Sequence, residues 1–412
     1  MSIGLQRLDQ AAPTELATTL RNAGIAGAGG AGFPAHAKWG RLDEVDYLLV
    51  NHQESEPNYY IDKRLGRERA DAFGELFDAL LDRAFETIVV GAKAKDRDEW
   101  MGPLESATDA TVYEPADLPL DPAAEAGIVF AYTDDQYEYG MESVLLRLVA
   151  GTVIGDDLPM DHGWIVQNTE TLDNVYRTLD RDEPVTYKHV HVDGNVPRHR
   201  FLRVPVGTPA STLLEAAGRD PEDLDRDEIL ADGGPGWCFE IEADPDAFGT
   251  TKRTNCLTVI DEDIAEENTL GGDRINVLNA IDWTADHETS PTTLTPDRVR
   301  VPLITNPAFE GVVSPSRPVV SDGADISAGE MIAVPADDGI SNAQHAPIGG
   351  EVTAVSDRYI EIRSLSDESG RMMSEAGRSI YWTWCVECGE YVARPKRDQF
   401  IGEKTYVCED CQ

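Results

Sequence analysis

Residues 24–39 read Gly-Ile-Ala-Gly-Ala-Gly-Gly-Ala-Gly-Phe-Pro-Ala-His-Ala-Lys-Trp. From 24 to 34 the side chains are nearly all too small to block a close approach. Backbone N–H groups there can surround an anion, and Lys38 adds a cation five residues past Phe33. A glycine run alone reads first as a flexible turn, so its surroundings decide. Before it, 13–23 read as a short helix. After it, 46–50 read as a strand, and Phe73, Leu76, Phe77, Leu80, Leu81 and Phe85 form one helical stripe. Strand and helix alternate again at 87–91, 128–132 and 141–149. This alternation predicts an α/β domain with a largely parallel sheet over 1–183.

Beyond Pro184 the period changes to two, in VTYKHVHVDGNVPRHRFLRVPVGTP (185–209), followed by one helical stretch. A small β-rich domain over 184–263 is expected. Residues 264–300 are acidic, Thr-rich and weakly patterned, and are read as a linker. Short strands and glycine turns then fill 301–366, and a cysteine-bearing tail occupies 375–412.

The 412 residues carry 76 Asp and Glu against 35 Lys and Arg, a formal charge of −41, spread through every segment. Only 8 of the basic residues are lysine. Such a surface suits a salt-rich cytoplasm, where screening relieves self-repulsion. No basic stripe suggests nucleic acid, and no apolar run has the length of a membrane span. The N-terminal MSIGLQRLDQ lacks the apolar core of a signal peptide, so a cytoplasmic location is expected.

Three blocks carry a family resemblance. GIAGAGGAGFPAHAKW (24–39) resembles the FMN loop of the flavin subunit of respiratory complex I and of the C subunit of the Rnf complex. VNHQESEPNYYIDKRLGRERAD (50–71) resembles the next block of that family, and GWIVQNTETLDNV (163–175) a third. The resemblance implies that Gly27, Gly29, Gly30, Gly32, Phe33 and Lys38 line the phosphate and ribityl chain of FMN. It implies that Asn51, Glu54, Glu142, Asn168 and Thr169 sit around the flavin, and that Glu56 is the catalytic carboxylate facing a nicotinamide nucleotide. Ala28, Gln53 and the lone Glu142 depart from the complex I pattern, and these departures bear on NADH more than on FMN.

The rest of the chain extends the resemblance. DGNVPRHRFLRVPVGTPASTLLEAAG (193–218) looks like the SLBB-type β-grasp module of the same proteins, and DGADISAGEMIA (322–333) with APIGGEVTAV (346–355) resembles a barrel-sandwich hybrid domain. No lysine lies between Lys252 and Lys396, so this module carries no lysine-linked prosthetic arm. The order of modules is that of the microcompartment cobalamin reductase. The iron–sulfur cysteines of the Rnf protein have no counterpart, since 264–300 contain no cysteine, and no iron–sulfur cluster is expected.

Cys385-x-x-Cys388 and Cys408-x-x-Cys411, 19 residues apart, have the spacing of a four-cysteine zinc ribbon; a rubredoxin-like iron site uses the same ligands. Cys238 and Cys256 stand alone and read as core thiols. The eight histidines form no metal set by spacing, and His189 and His191 read as one packed strand face. The expected function is FMN-dependent electron transfer from NADH or another soluble donor to a partner protein or a corrinoid. The alternative is a non-catalytic ligand-binding or assembly scaffold of the same descent.

Overall fold

The computed structural model describes residues 4–224, 227–284, 287–309 and 311–364, together with the backbone of 380–384 and 391–395. The first unit opens with α1 (Pro13–Asn22) and, after the glycine loop, the single turn α2 (His36–Trp39). Then follow β1 (Tyr47–His52), α3 (Ile61–Glu68), α4 (Ala70–Arg83), β2 (Thr87–Lys93), α5 (Gly102–Thr108), β3 (Thr111–Tyr113) and β4 (Gly127–Thr133). The unit closes with α6 (Glu142–Ala150), β5 (Trp164–Asn168) and α7 (Thr169–Arg181).

The five strands form a parallel sheet in the order β3-β4-β2-β1-β5. Helices cover both faces, so β2 is buried along its whole length and its middle, IVVGA (88–92), is a continuous apolar run instead of an alternating one. The stripe on α4 buries Phe73, Leu76, Phe77 and Leu80 against this sheet's core. β2, β3 and β4 all lie to one side of β1, whereas β5 returns to the other. The order of strands therefore reverses between β1 and β5. In open α/β sheets ligands bind outside the carboxyl ends of the strands at such a reversal.

The second unit is a six-stranded mixed sheet. Its members are β6 (Tyr187–Gly194), β7 (Arg200–Pro205), β8 (Glu228–Gly234), β9 (Trp237–Glu240), β10 (Cys256–Asp261) and β11 (Thr292–Thr293), in the order β11-β7-β6-β10-β8-β9. β6 and β10 pair in parallel at its centre. α8 (Ala210–Ala216) buries Leu213 and Leu214 against Val190, Val192, Leu202 and Leu257.

The expected linker over 264–300 is corrected here. α9 (Glu262–Glu267) follows β10 directly, Ile275 and Val277 fill a small core with Ala231, Cys238, Ile260 and Ala265, and β11 extends the sheet beside β7. The segment is held by isolated apolar anchors among many acids, and isolated anchors leave no period to read.

The third unit begins with β12 (Arg298–Pro302) and continues through β13 (Arg317–Pro318), β14 (Asp325–Ile326), β15 (Met331–Val334), β16 (Gln344–His345), β17 (Gly350–Val355) and β18 (Tyr359–Arg363). Two sheets, β12-β18-β17-β14 and β13-β15-β16, enclose Val299, Val301, Ile326, Ile332, Val352, Ile360 and Ile362. A backbone hairpin, β19 (Ile380–Trp384) with β20 (Tyr391–Pro395), follows. Cys385, Cys388, Cys408 and Cys411 lie outside the described residues.

The three units meet beside the glycine loop. The ammonium of Lys252, in the second unit, donates to the carbonyls of Gly24 (2.8 Å) and Ala343 (3.1 Å), which belong to the first and third. Asn342 donates to the carbonyl of Ile25 at 2.8 Å, and Arg21 Nε to that of Ser341 at 3.1 Å. Among the described residues no helix is long and apolar enough to cross a membrane.

Candidate functional site: a cleft at the strand-order reversal

A cleft of about 650 Å³ opens at the carboxyl ends of β1 and β5. The first unit forms its floor, and Trp237, Arg253 and Asn255 of the second unit and Asn306 and Phe309 of the third complete its walls.

The glycine loop is closed by hydrogen bonds from Gly27 N to Phe33 O (2.9 Å) and from Gly32 N to Gly27 O (2.8 Å). It lies on the first turn of α7, where Ala28 N donates to the Thr171 hydroxyl at 2.9 Å. That helix is capped by Asn168, whose side chain accepts from the amides of Glu170 and Thr171. Gly29 rests on the Asn168 side chain, which a Cβ would approach to 2.8 Å. Gly30, with φ +100°, faces open space: the nearest atom to a Cβ there would be Asn255 Nδ2 at 4.0 Å.

Gly27, Gly29 and Gly30 line the cleft, but Gly32 and Phe33 do not. Gly32 turns toward Asn306 and Arg253, and Phe33 packs edge-on against Phe309 with centroids 5.5 Å apart. These two residues seat the other units on the loop.

Lys38, carried by α2, and Glu142, at the start of α6, form an ion pair of 3.0 Å in the cleft wall, and the lysine also donates to the carbonyl of Val166. Asn51 and Asn168 are directly paired in register at the ends of β1 and β5. Asn51 donates to the carbonyl of Gly140 at 2.8 Å. Thr169 lies beneath the wall, its hydroxyl 2.7 Å from His52 Nδ1.

Three buried carboxyls hold the floor together. Glu54, at φ +39°, accepts the amides of Ile61, Asp62 and Lys63 at 2.6, 3.1 and 2.9 Å and so caps α3 from outside it. Burial pushes its carboxyl above the ordinary range. Asp62 accepts from Asn168 Nδ2 at 2.6 Å; burial, then the nearby Glu54 and Glu170, raise it further. Glu170 goes the other way. Burial opposes its charge, yet Lys188 and His189 bring it down to about 2.

Glu56 is the carboxyl at which two units touch. It accepts from the Tyr137 hydroxyl at 2.8 Å and from the amide of Gly236 at 2.9 Å, and burial raises it to about 7. The turn between β8 and β9 fits tightly against it. A Cβ on Gly234 would stand 2.8 Å from the Glu56 carboxyl carbon, and one on Gly236 would stand 2.3 Å from the Tyr137 ring. Sequence reasoning places Glu56 in the site but misses Tyr137, Gly236, Arg253 and Asn255. For Gly236, Arg253 and Asn255 the signal is the stretches GGPGWCF and TKRTNC, which lie far from the glycine loop in the chain.

The donor set suits a flat polar ligand with an anionic tail. Ser55 Oγ, Gln167 Nε2 and Asn255 Oδ1 are buried, line the cleft and find no partner among the described residues. Buried polar groups of this kind ordinarily have one. The space over Gly30 and the amide-rich end of α7 supply the place for an anion.

Residues 20–177 match the family described as the Nuo51 FMN-binding domain. The match lies within the first unit. The cobalamin reductase PduS of Citrobacter freundii is 31% identical over 219 residues, covering 52% of this chain and 44% of that protein. The C subunit of the ion-translocating oxidoreductase complex of Pseudomonas aeruginosa is 31% identical over 251 residues, covering 60% of this chain and 30% of that protein. The chain thus spans less than half the length of these curated relatives. Among solved structures, a chain of the NAD+-reducing [NiFe]-hydrogenase in its H2-reduced state aligns with TM-score 0.47 and 19% identity, over 63% of this chain and 49% of that one. The Nuo51-type segment contains the whole first-unit wall of the cleft.

Proposed function

We propose that the cleft binds FMN and that the chain is an electron-transfer oxidoreductase, drawing on NADH or another soluble donor and serving a protein or corrinoid acceptor. The observation that carries this reading is the open face of Gly30 above the capped start of α7, at the reversal of strand order. The amides of Gly29 and Gly30 would hold the phosphate, with Lys38 as the nearby cation. Asn51, Asn168, Gln167 and Asn255 would meet the polar edges of the ligand. Bound FMN supplies the exchange between two-electron donors and one-electron acceptors.

The residues of the chain do the rest. Glu54 fixes the loop by capping α3, Glu170 with Lys188 fixes the base of α7, and the second unit's Trp237 and Asn255 wall the site. Glu56, held near neutrality by burial, is suited to keep or release a proton close to the donor. The names of the relatives support both kinds of acceptor, a corrinoid for cobalamin reductase and a partner complex for the ion-translocating protein. We assign zinc, with iron as the alternative, to Cys385, Cys388, Cys408 and Cys411. The formal charge of −41 supports operation in a salt-rich cytoplasm.

One observation favours the scaffold alternative: Lys38 is already neutralised by Glu142. Purification in high salt without added cofactor, followed by absorption spectroscopy, separates the two. Near-stoichiometric flavin bands are expected. A colourless preparation that cannot be reconstituted with FMN would establish the scaffold instead.

A further inference from the structure

The buried carboxylate of Asp193 lies at the end of β6, behind the loop that carries Glu56. Its side chain is 1% exposed, and two imidazoles converge on it. His199, from the turn that precedes β7, brings Nδ1 to 2.5 Å of Oδ1. His287, from the segment after α9, brings Nε2 to 2.7 Å of Oδ2. The two rings stand 4.8 Å apart between centroids, and one ligand atom from each of the three residues fits within a 4.8 Å span. The carboxylate is held from behind by the amide of Gly194 (2.7 Å) and by Asn58 Nδ2 (2.7 Å). Such outer contacts aim a ligand and fix its orientation.

We propose that Asp193, His199 and His287 form a divalent transition-metal site of the zinc class. Two nitrogens and one oxygen suit Zn²⁺ and its borderline neighbours. They are too few oxygens for Ca²⁺ or Mg²⁺, which take six or more ligands, mostly oxygen. Tetrahedral coordination with bonds of about 2.0–2.1 Å sets ligand atoms roughly 3.3 Å apart. Binding through one carboxylate oxygen therefore lengthens that oxygen's contact with its imidazole by less than an ångström and swings the other ring toward it. His199 is 23% exposed, so the fourth position faces solvent and takes water.

The ligands come from two strands' ends and from a distant segment, so the metal pins the His287 segment to the β6–β7 edge. It also reaches the flavin-family unit, because Asn58 follows Glu56 on the same loop. Spacing along the chain gives the histidines no metal set, since only the sheet assembles these ligands.

The test uses the full chain with Cys385, Cys388, Cys408 and Cys411 replaced by Ser, freed of metal with a chelator and titrated with Co²⁺. One equivalent is expected, with weak visible ligand-field bands, no thiolate charge-transfer band, and displacement by Zn²⁺. Adding His199→Ala and His287→Ala should abolish the uptake. No uptake, or uptake unchanged by the histidine replacements, would overturn the site and leave a hydrogen-bonded triad. If the four-serine chain does not fold, wild type and the double histidine variant are compared for zinc content. A loss of one equivalent supports the site, and equal content refutes it.

Discussion

The amide of Gly236, in the second unit, donates a 2.9 Å hydrogen bond to the carboxyl of Glu56, in the first. This contact makes the second unit part of the cleft's chemistry, because it helps set the environment of a carboxyl that titrates near neutrality.

In the folded chain Glu56 holds its proton up to about pH 7, against an ordinary value of 4.5. Its contribution to stability is therefore complete below about pH 4.5 and is lost as the pH rises through 7. That loss amounts to about 3 kcal/mol, since each tenfold change in proton affinity corresponds to roughly 1.36 kcal/mol. Glu56→Gln keeps the size and the acceptor oxygen but cannot ionise. Thermal melts should show it near wild type at pH 5 and more stable by a few degrees at pH 8. In stopped flow the same variant should retain FMN yet be reduced by NADH more slowly. Equal rates would remove NADH as donor.

Gly30→Val should abolish flavin retention while leaving the fold intact, since its side chain enters open space. The positive φ adds a strain of about 1–2 kcal/mol. Gly29→Val should behave differently, because its side chain meets Asn168 and disturbs the cap of α7. Flavin-to-protein absorbance after gel filtration, read beside a circular-dichroism melt, distinguishes loss of ligand from loss of fold.

Lys188→Met leaves Glu170 buried with its main cation removed. Breaking a buried pair in this way costs about 3–5 kcal/mol. Urea unfolding should show a lower midpoint for this variant, and a substantial recovery in Lys188→Met/Glu170→Leu. Recovery failing altogether would mean that the pair does more than satisfy itself.

Metal analysis of protein produced with both metals available should give zinc bound to the cysteines of the tail. Cys408→Ser should then leave flavin turnover with a small artificial acceptor unchanged. Stoichiometric iron with thiolate charge-transfer absorption would reverse this assignment and make the tail an electron carrier.

The parallel sheet is legible in the sequence because β1, β2 and β4 are buried apolar runs between helical stripes. β3 and β5 are not legible as strands: the first has three residues, and the second merges into the cap of α7. Gly27, Gly29, Gly30, Lys38, Asn51, Glu54, Glu56, Glu142 and Asn168 line one cleft. What the motifs hide is the division of labour. Glu54 serves a helix end, Thr169 lies below the wall, and Gly32 and Phe33 face neighbouring units, because local sequence specifies conformation but not which side of a loop another domain will cover. Arg253, Asn255 and the second-unit turn are hidden for the same reason.

Lys252 gives the junction of the three units an unusual tolerance. Burial lowers its ammonium to about 7, so near neutrality the side chain passes between charged and uncharged forms. Its two acceptors are main-chain carbonyls, those of Gly24 and Ala343, and an uncharged amine still carries two N–H bonds, one for each. Losing the proton therefore does not unfasten the joint. The joint at Lys252 thus keeps both hydrogen bonds across the range in which Glu56, another contact between the first two units, changes its charge.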